Sequence, residues 1–454
     1  MAGSKITTAV PEKRIRNFQE VSLGYPKRIA AEEAARCPQC ADPVCMAHCP
    51  LGIAIPRFIR YLREGDVANA YQVIKEANWL PAVCGRICSA PCEAACVLNE
   101  EKAPIGIRAL ERYASDNGRA RPIKAKEHKG KKIAVVGSGP AGLTAAAQLA
   151  QKGFQVTIFE SLDRPGGILR YGIPEFRIPR KVLDQEINEI KALGVDIQTN
   201  IFIGQTITLD ELKKDGYEAI LLAMGAGIPK FMELRGAHLG GVYYGEEFLM
   251  RVNLTKSAPF GRNQSNFIVG KKVVVIGSGN TALDCARCAR RLGGEVTLIF
   301  RRTEEEMYVR AEERDLAKEE GIHFEPLAKP VEILADQNHF VAGLKCVRMD
   351  YADAGGNNQW QLEPVPDSEF IIDVDTVVIA IGHRPNSLVS KLSSKLALNK
   401  DGTIKVDQTT FMTSVSGIFA CGNVMTNAGP VVEAMASGKK AARGIEQFVL
   451  QVKK

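Results

Sequence analysis

Eight of the twelve cysteines in this chain fall between residues 37 and 96, in two runs: Cys37-x2-Cys40-x4-Cys45-x3-Cys49-Pro50 and Cys84-x3-Cys88-x3-Cys92-x3-Cys96. Thiols at this density, in a chain expected to stay in a reducing compartment, point to metal rather than to disulfides. Eight thiolates satisfy two 4Fe-4S clusters, and in a run that closes C-x3-C-P the last cysteine can serve a different cluster from its neighbours. Structural zinc is the alternative. It prefers paired C-x2-C knuckles, and within these runs only Cys37 and Cys40 form one. Gly85 and Pro91 interrupt any single helix through the second run, and spacing does not assign each cysteine to a cluster.

The second chemistry is written twice. Thirty residues from Lys131 (KKIAVVGSGPAGLTAAAQLAQKGFQVTIFE) return without a gap from Lys271 (KKVVVIGSGNTALDCARCARRLGGEVTLIF), at a constant offset of 140. Each copy reads as an apolar strand, a Gly-x-Gly turn, a helix of small residues and a second strand, the unit that binds a dinucleotide. In the first copy Gly137, Ser138, Gly139, Pro140, Ala141 and Gly142 carry the full fingerprint: a tight turn, close backbone approach to a pyrophosphate, and close helix-on-strand packing. Glu160 ends the second strand, where a carboxylate accepts from a ribose hydroxyl and repels a 2'-phosphate, so this copy suits FAD or NAD. The second copy has Gly277, Ser278, Gly279, Asn280 and Thr281, with Ala282 as its third small residue. Phe300 replaces the carboxylate and is followed by Arg301 and Arg302, whose guanidiniums match a dianionic 2'-phosphate. This copy reads as an NADPH site; the alternative is a solvated strand end.

These motifs need elements to hold them. Residues 1–128 read as helical segments with cysteine-rich loops between them. Residues 129–264 hold the first dinucleotide unit, a glycine- and proline-rich loop (DRPGGILRYGIPEFRIP, with Gly167 and Leu169) placed to lie along a flavin, a helix and a strand. Residues 265–380 form the second unit, and residues 381–454 return to the first with GIFACGN and a helix of small residues. The basic run KAKEHKGKK at 124–132 reads as an exposed linker, with docking of an acidic partner as the alternative and no nucleic-acid patch. Composition is that of a globular protein, with 45% hydrophobic and 24% charged residues and net charge +7. No secretory leader and no apolar stretch of membrane-spanning length is visible, so a cytoplasmic protein with no membrane association is expected.

The glycines at 137, 139 and 142, GIP at 172–174, GHRPN at 382–386 and GIFACGN at 417–423 resemble the two-dinucleotide flavoprotein fold: α/β, with the NADPH domain inserted in the FAD domain. Together with the N-terminal cysteines, NWLPAVCGRIC and IGIRALERY, nearly the whole chain resembles the small (beta) subunit family of NADPH-dependent glutamate synthase. Its relatives are the large subunit of ferredoxin:NADP oxidoreductase, sulfide dehydrogenase and the N-terminal half of dihydropyrimidine dehydrogenase. The resemblance implies FAD, NADPH and two 4Fe-4S clusters in an α-helical domain ahead of the two nucleotide domains. It also implies that one cluster can take a carboxylate, here Glu111, as its fourth ligand, which would leave Cys84 a structural thiol; both stay candidates. A C-terminal Gly-Asp pair touches the flavin in this family, and Gly422-Asn423 stands there, an amide in place of the acid. Gly382 in GHRPN lies near a presumed cofactor, and His383 beside it is given a packing role. Tyr308 occupies a position where proline is usual.

The implied activity passes electrons from NADPH through FAD and the clusters to a partner, either a large subunit that makes glutamate from glutamine and 2-oxoglutarate or a smaller flavin and 2Fe-2S subunit. Hydride transfer between stacked rings needs no dedicated acid or base, and no catalytic side chain is nominated. With Met1-Ala2 at its start, the chain offers no N-terminal cysteine nucleophile for glutamine hydrolysis. Two rival readings remain: a dithiol reductase built on Cys285-x2-Cys288, a pair placed inside a helix rather than at its first turn, and a nucleotide-binding scaffold without turnover.

Overall fold

A computed structural model describes residues 4–99, 103–119, 130–255, 269–353, 360–385 and 389–451. Most of the linker KAKEHKGKK and Asn386 of GHRPN lie outside them. Among the N-terminal helices, three shape the site: α1 (Ile55–Arg63), α2 (Pro81–Ile87) and α3 (Ile107–Asn117). Helix α1 starts on Ala54-Ile55-Pro56, where a proline costs no hydrogen bond. It buries Ile55, Phe58, Ile59 and Leu62 and turns its arginines outward.

The first nucleotide unit begins with β1 (Lys132–Val136), exposed only at its first residue, as a central parallel strand must be. Helix α4 (Pro140–Gln151) and β2 (Gln155–Phe159) follow, then helix α5 (Arg180–Lys191), β3 (Asp196–Gln198) and β4 (Tyr217–Leu222). The chain then leaves this sheet. Strand β5 (Val242–Tyr244), helix α6 (Gly245–Thr255), β6 (Lys272–Ile276), helix α7 (Asn280–Arg291), β7 (Glu295–Ile299), β8 (His323–Glu325) and β9 (Thr376–Ile379) build a second sheet. Its order is β8-β7-β6-β9-β5, and every pairing is parallel. β5 and α6 were grouped with the first unit on sequence; β5 pairs with β9 and so stands in the second sheet. Between β8 and β9 an antiparallel sheet built from strands within 328–372 is added, an element that the periodicity reading missed. The chain returns through β10 (Ile418–Ala420), which pairs with β4 and makes the first sheet β10-β4-β1-β2-β3, also parallel throughout. Helix α8 (Val431–Gln451) closes the described chain.

The N-terminal helices do not have a core of their own. Phe58, Ile74, Leu80 and Leu110 belong to the same buried cluster as Ile133, Ala145, Leu149 and Met435 of the first nucleotide unit. Helices α4 and α8 approach closely because Gly438 faces the backbone of Ala141: a Cβ at Gly438 would stand 2.3 Å from the Ala141 carbonyl oxygen. Gly438→Val is therefore expected to cost about 3 kcal/mol, the upper end of the usual overpacking range, since backbone cannot yield as a side chain does. A clear fall in Tm checks it, and an unchanged Tm contradicts the close packing.

Candidate functional site

The eight N-terminal cysteines divide between two cavities in a way that their order along the chain does not follow. Cys37, Cys40, Cys45 and Cys96 line the outer cavity. Cys49, Cys84, Cys88 and Cys92, with Glu111, line the inner one. Each run thus sends its last cysteine to the other cavity. The crossing is made by short turns: the one-turn helix Val44–Ala47 ends before Cys49, and Ala90, in the left-handed region at φ 54°, redirects the chain into the helix Pro91–Ala94 ahead of Cys96. Ile55 and Ile107 line both cavities and form the wall between them.

The acidic groups here have no ordinary reason to ionise. Burial, the largest cause, pushes the Cys45 thiol up to about 11 and the Cys88 thiol up to about 12, and raises Cys84 and Cys92 further. Burial likewise raises the Glu111 carboxyl to about 8, against the 2.8 Å hydrogen bond that it accepts from Asn78 Nδ2. A ring of thiols and one carboxyl in a buried, largely apolar cavity fits a cationic inorganic centre, whose charge reverses this balance and binds the deprotonated forms. Among the described residues no three His, Cys, Asp or Glu side chains converge to hold a single ion.

At the first glycine turn Gly137 has φ 101°, and a Cβ on Gly142 would stand 2.0 Å from the Gly137 carbonyl oxygen. Nothing lies within 4 Å of a Cβ placed on Gly139, so the backbone between β1 and α4 faces open space at the start of the helix. Gly167 closes the turn from the loop side, with its Cβ direction 2.8 Å from the Gly139 α-carbon, and Leu169 is buried behind it. Gly422 closes it from the C-terminal side, where a Cβ would meet that of Ala141 at 3.0 Å; Asn423 follows at the start of a short helix. Glu160 is buried at the end of β2. Its Oε2 accepts from the Ser138 amide at 2.9 Å and its hydroxyl at 2.5 Å, and its Oε1 accepts from the Leu162 amide at 2.9 Å. The carboxylate is thus fastened to the turn.

The second turn repeats the geometry. Gly277 has φ 143°, with a Cβ direction 2.3 Å from the Ala380 carbonyl oxygen, and Gly279 faces open space beside Asn280 and Thr281 at the start of α7. Gly382, at φ 109°, is open as well. Phe300 is buried against Phe324, while Arg301 is exposed. Arg302 Nη1 donates to Tyr308 Oη at 3.1 Å, and Tyr308 is 74% exposed, so the residue in the usual proline position steadies an arginine.

Three features that sequence reasoning missed join these regions. On α8, Val432 lines the inner cavity, Met435 Sδ lies 3.6 Å from Cys84 Sγ, and Lys439 Nζ donates to the carbonyls of Leu51 and Ala77 at 2.9 and 3.1 Å. The same helix meets Ala141 through Gly438, and its Ser437 Oγ accepts from the Gly422 amide at 2.8 Å while donating to the Ala434 carbonyl at 2.7 Å. Glu186 of α5 accepts the amides of Ala82 and Val83 at 2.6 and 3.1 Å, fixing the first turn of α2 beside Cys84. Arg177, from the GIPEFRIP loop, pairs with Asp284 of α7 at 2.8 Å and ties the first nucleotide unit to the second. Only Met435 and Val432 carry a local signal, their place on the small-residue helix.

Cys285 and Cys288 are fully buried in α7, and burial raises both thiols well above their ordinary range. A redox dithiol needs the opposite, exposure and a lowered thiol. The dithiol reading predicts that Cys288→Ser abolishes reduction of a disulfide substrate while NADPH-driven dye reduction survives; the burial of both thiols leads to the opposite expectation, that neither activity responds.

Residues 131–438 match the pyridine nucleotide-disulphide oxidoreductase family, and residues 14–123 match dihydropyrimidine dehydrogenase domain II, 4Fe-4S cluster. The chain is 37% identical over 436 residues to the NADP(+)-dependent formate dehydrogenase subunit beta of Moorella thermoacetica, with 90% of this chain and 60% of that protein aligned. It therefore spans less than two thirds of that relative's length. Against the glutamate synthase [NADPH] small chain of Azospirillum brasilense it is 33% identical over 448 residues, covering 96% of this chain and 92% of the other. The solved structure of Mycobacterium tuberculosis FprA in complex with NADPH shares the fold over 71% of this chain and 85% of its own, with TM-score 0.58 and 18% identity. Two glycine turns on parallel sheets and a thiol-lined helical region sharing the first sheet's core accord with these matches, and the chain belongs to the pyridine nucleotide-disulphide oxidoreductase family, in the group of the glutamate synthase small chains: a flavin, pyridine-nucleotide and 4Fe-4S oxidoreductase.

Proposed function

We propose that this protein draws electrons from NADPH and delivers them, through FAD, an inner and then an outer 4Fe-4S cluster, to a separate electron-accepting subunit. The observation that carries the order is the placement of α8, which touches Ala141 of the first turn and Gly422 and also lines the inner cavity through Val432, while the outer cavity lies beyond Ile55 and Ile107. Bound FAD takes a two-electron hydride equivalent and releases electrons singly, and 4Fe-4S clusters accept them one at a time.

The residues of the chain do the holding and the insulating. Cys37, Cys40, Cys45 and Cys96 are the ligand set for the outer cluster. Cys49, Cys88 and Cys92 supply three corners of the inner one, with Glu111 or Cys84 at the fourth. Gly137, Gly139 and Gly142 admit the FAD pyrophosphate, and Glu160 orients its ribose. Gly167, Leu169, Gly422 and Asn423 line the rest of that cofactor. Gly277 to Thr281 admit the pyrophosphate of NADPH, Arg301 and Arg302 read its 2'-phosphate, and Gly382 lies by its other end. The domains are then the N-terminal helical region, a FAD domain in two parts around β1 to β4 and β10, and an NADPH domain inserted between them.

The acceptor is a large subunit of the glutamate synthase type, which makes glutamate from glutamine and 2-oxoglutarate. A smaller flavin and 2Fe-2S subunit is the second reading; the 37% identity to subunits of a formate dehydrogenase and of the NADPH-Fe(3+) oxidoreductase of Geobacter sulfurreducens supports a partner outside glutamate synthesis. Among the described residues no helix is long and apolar enough to cross a membrane, in keeping with a cytoplasmic site of action. Anaerobic titration with NADPH tests the route: flavin absorbance should bleach and two distinct cluster signals should grow in electron paramagnetic resonance. Bleaching without either signal would remove the clusters from the path, and a folded, iron-free, colourless protein would end the reading.

A further inference from the structure

The topology of the second sheet divides its cofactor into two halves. A dinucleotide lies across the carboxyl edge of such a sheet, over the central strand and the crevice beside it. Here the centre is β6, with β7 and β8 on one side and β9 and β5 on the other. Arg301 and Arg302 follow β7, so the phosphorylated adenosine half belongs on that side. The nicotinamide half must then lie beyond the ends of β9 and β5.

Two ionisable side chains with no role so far stand there and touch. Glu246 is in the first turn of α6, immediately after β5, and His383 lies just beyond β9. His383 Nε2 is 2.9 Å from Glu246 Oε1, with the two side chains 18% and 13% exposed. The start of α6 is pressed into the corner of the site: a Cβ on Gly245 would stand 3.0 Å from that of Ala380 and 3.2 Å from Thr281 Cγ2, in the first turn of α7. A histidine expected only to pack is therefore coupled to a carboxylate at the cofactor edge.

We propose that Glu246 recognises the nicotinamide carboxamide by accepting its N–H, and that His383 is a positioning residue that holds the carboxylate in place. A carboxylate is acceptor-only, with about four lone-pair sites, of which the imidazole N–H takes one; a primary amide presents two N–H donors. This inference rests on the NADPH reading above.

The test compares NADPH with its 3-acetylpyridine analogue, in which a methyl group replaces the amide NH2, by anaerobic stopped-flow reduction of the flavin in the complete protein. In Glu246→Ala, the rate per concentration of NADPH should fall about 30-fold, the effect of one charged hydrogen bond, while the rate with the analogue should change little. Glu246→Gln, which keeps an acceptor oxygen, should fall less, and His383→Ala should show the same cofactor-selective loss while His383→Gln, which keeps an N–H donor, restores much of it. Equal losses with both cofactors, or none with either, overturn the assignment. FAD and iron contents equal to those of the parent separate these effects from misfolding. A parent protein whose flavin NADPH does not reduce would instead overturn the NADPH reading itself.

Discussion

Cys49→Ala should remove the inner cluster, halving the iron from about eight to about four atoms per chain, and should stop electron delivery to the outer cluster while the flavin is still bleached by NADPH. The neighbouring change Cys45→Ala should also remove about four irons, but from the outer cavity, and the inner signal should still appear on reduction. Two cysteines four residues apart thus have opposite consequences for the path, because Cys49 lines the cavity that α8 touches and Cys45 the cavity beyond the Ile55 and Ile107 wall. The fourth inner corner is settled by the same measurement. Of Cys84→Ala and Glu111→Ala, one should keep both cluster signals and the other lose the inner one. If Cys45→Ala and Cys49→Ala extinguish the same signal, the division of ligands between the cavities is wrong.

The two glycine turns were legible because their requirements are local: Gly137 and Gly277 adopt positive φ, and the small residues that follow allow a helix to lie on a strand. Iron-binding chemistry was legible from the number and spacing of the thiols, since eight in sixty residues with a single C-x2-C pair suit clusters better than zinc knuckles. Which thiols share a cavity was not, because it depends on the turn at Ala90 and on how α1 and α3 place Ile55 and Ile107 between the groups. The bridging role of α8 was equally hidden. Its small residues announce close packing, but that one face meets Ala141 and another meets Cys84 follows only from the fold. The pairing of β5 with β9 was missed for a related reason: a three-residue strand carries too little periodicity to declare its sheet.

The other large effect concerns which nicotinamide cofactor is used. Replacing Arg301 and Arg302 together by alanine should raise the KM for NADPH by roughly 100-fold or more, with little change for NADH. Each guanidinium that pairs with a phosphate oxygen contributes about 1.5–3 kcal/mol, and a dianionic group loses both partners at once. The two arginines differ in preparation. Arg302 already donates to Tyr308 at 3.1 Å, so its position costs less to fix on binding than that of exposed Arg301. Tyr308→Phe removes that restraint while keeping both charges, and should raise the KM for NADPH by about threefold, within the range of one neutral hydrogen bond. Salt separates charge recognition from shape: the preference of the parent for NADPH over NADH should shrink as ionic strength rises, and that of the double variant should not. Equal weakening of both cofactors in the double variant would mean that the arginines support the loop without reading the phosphate, and the selectivity would have to come from elsewhere on the edge between β6 and β7.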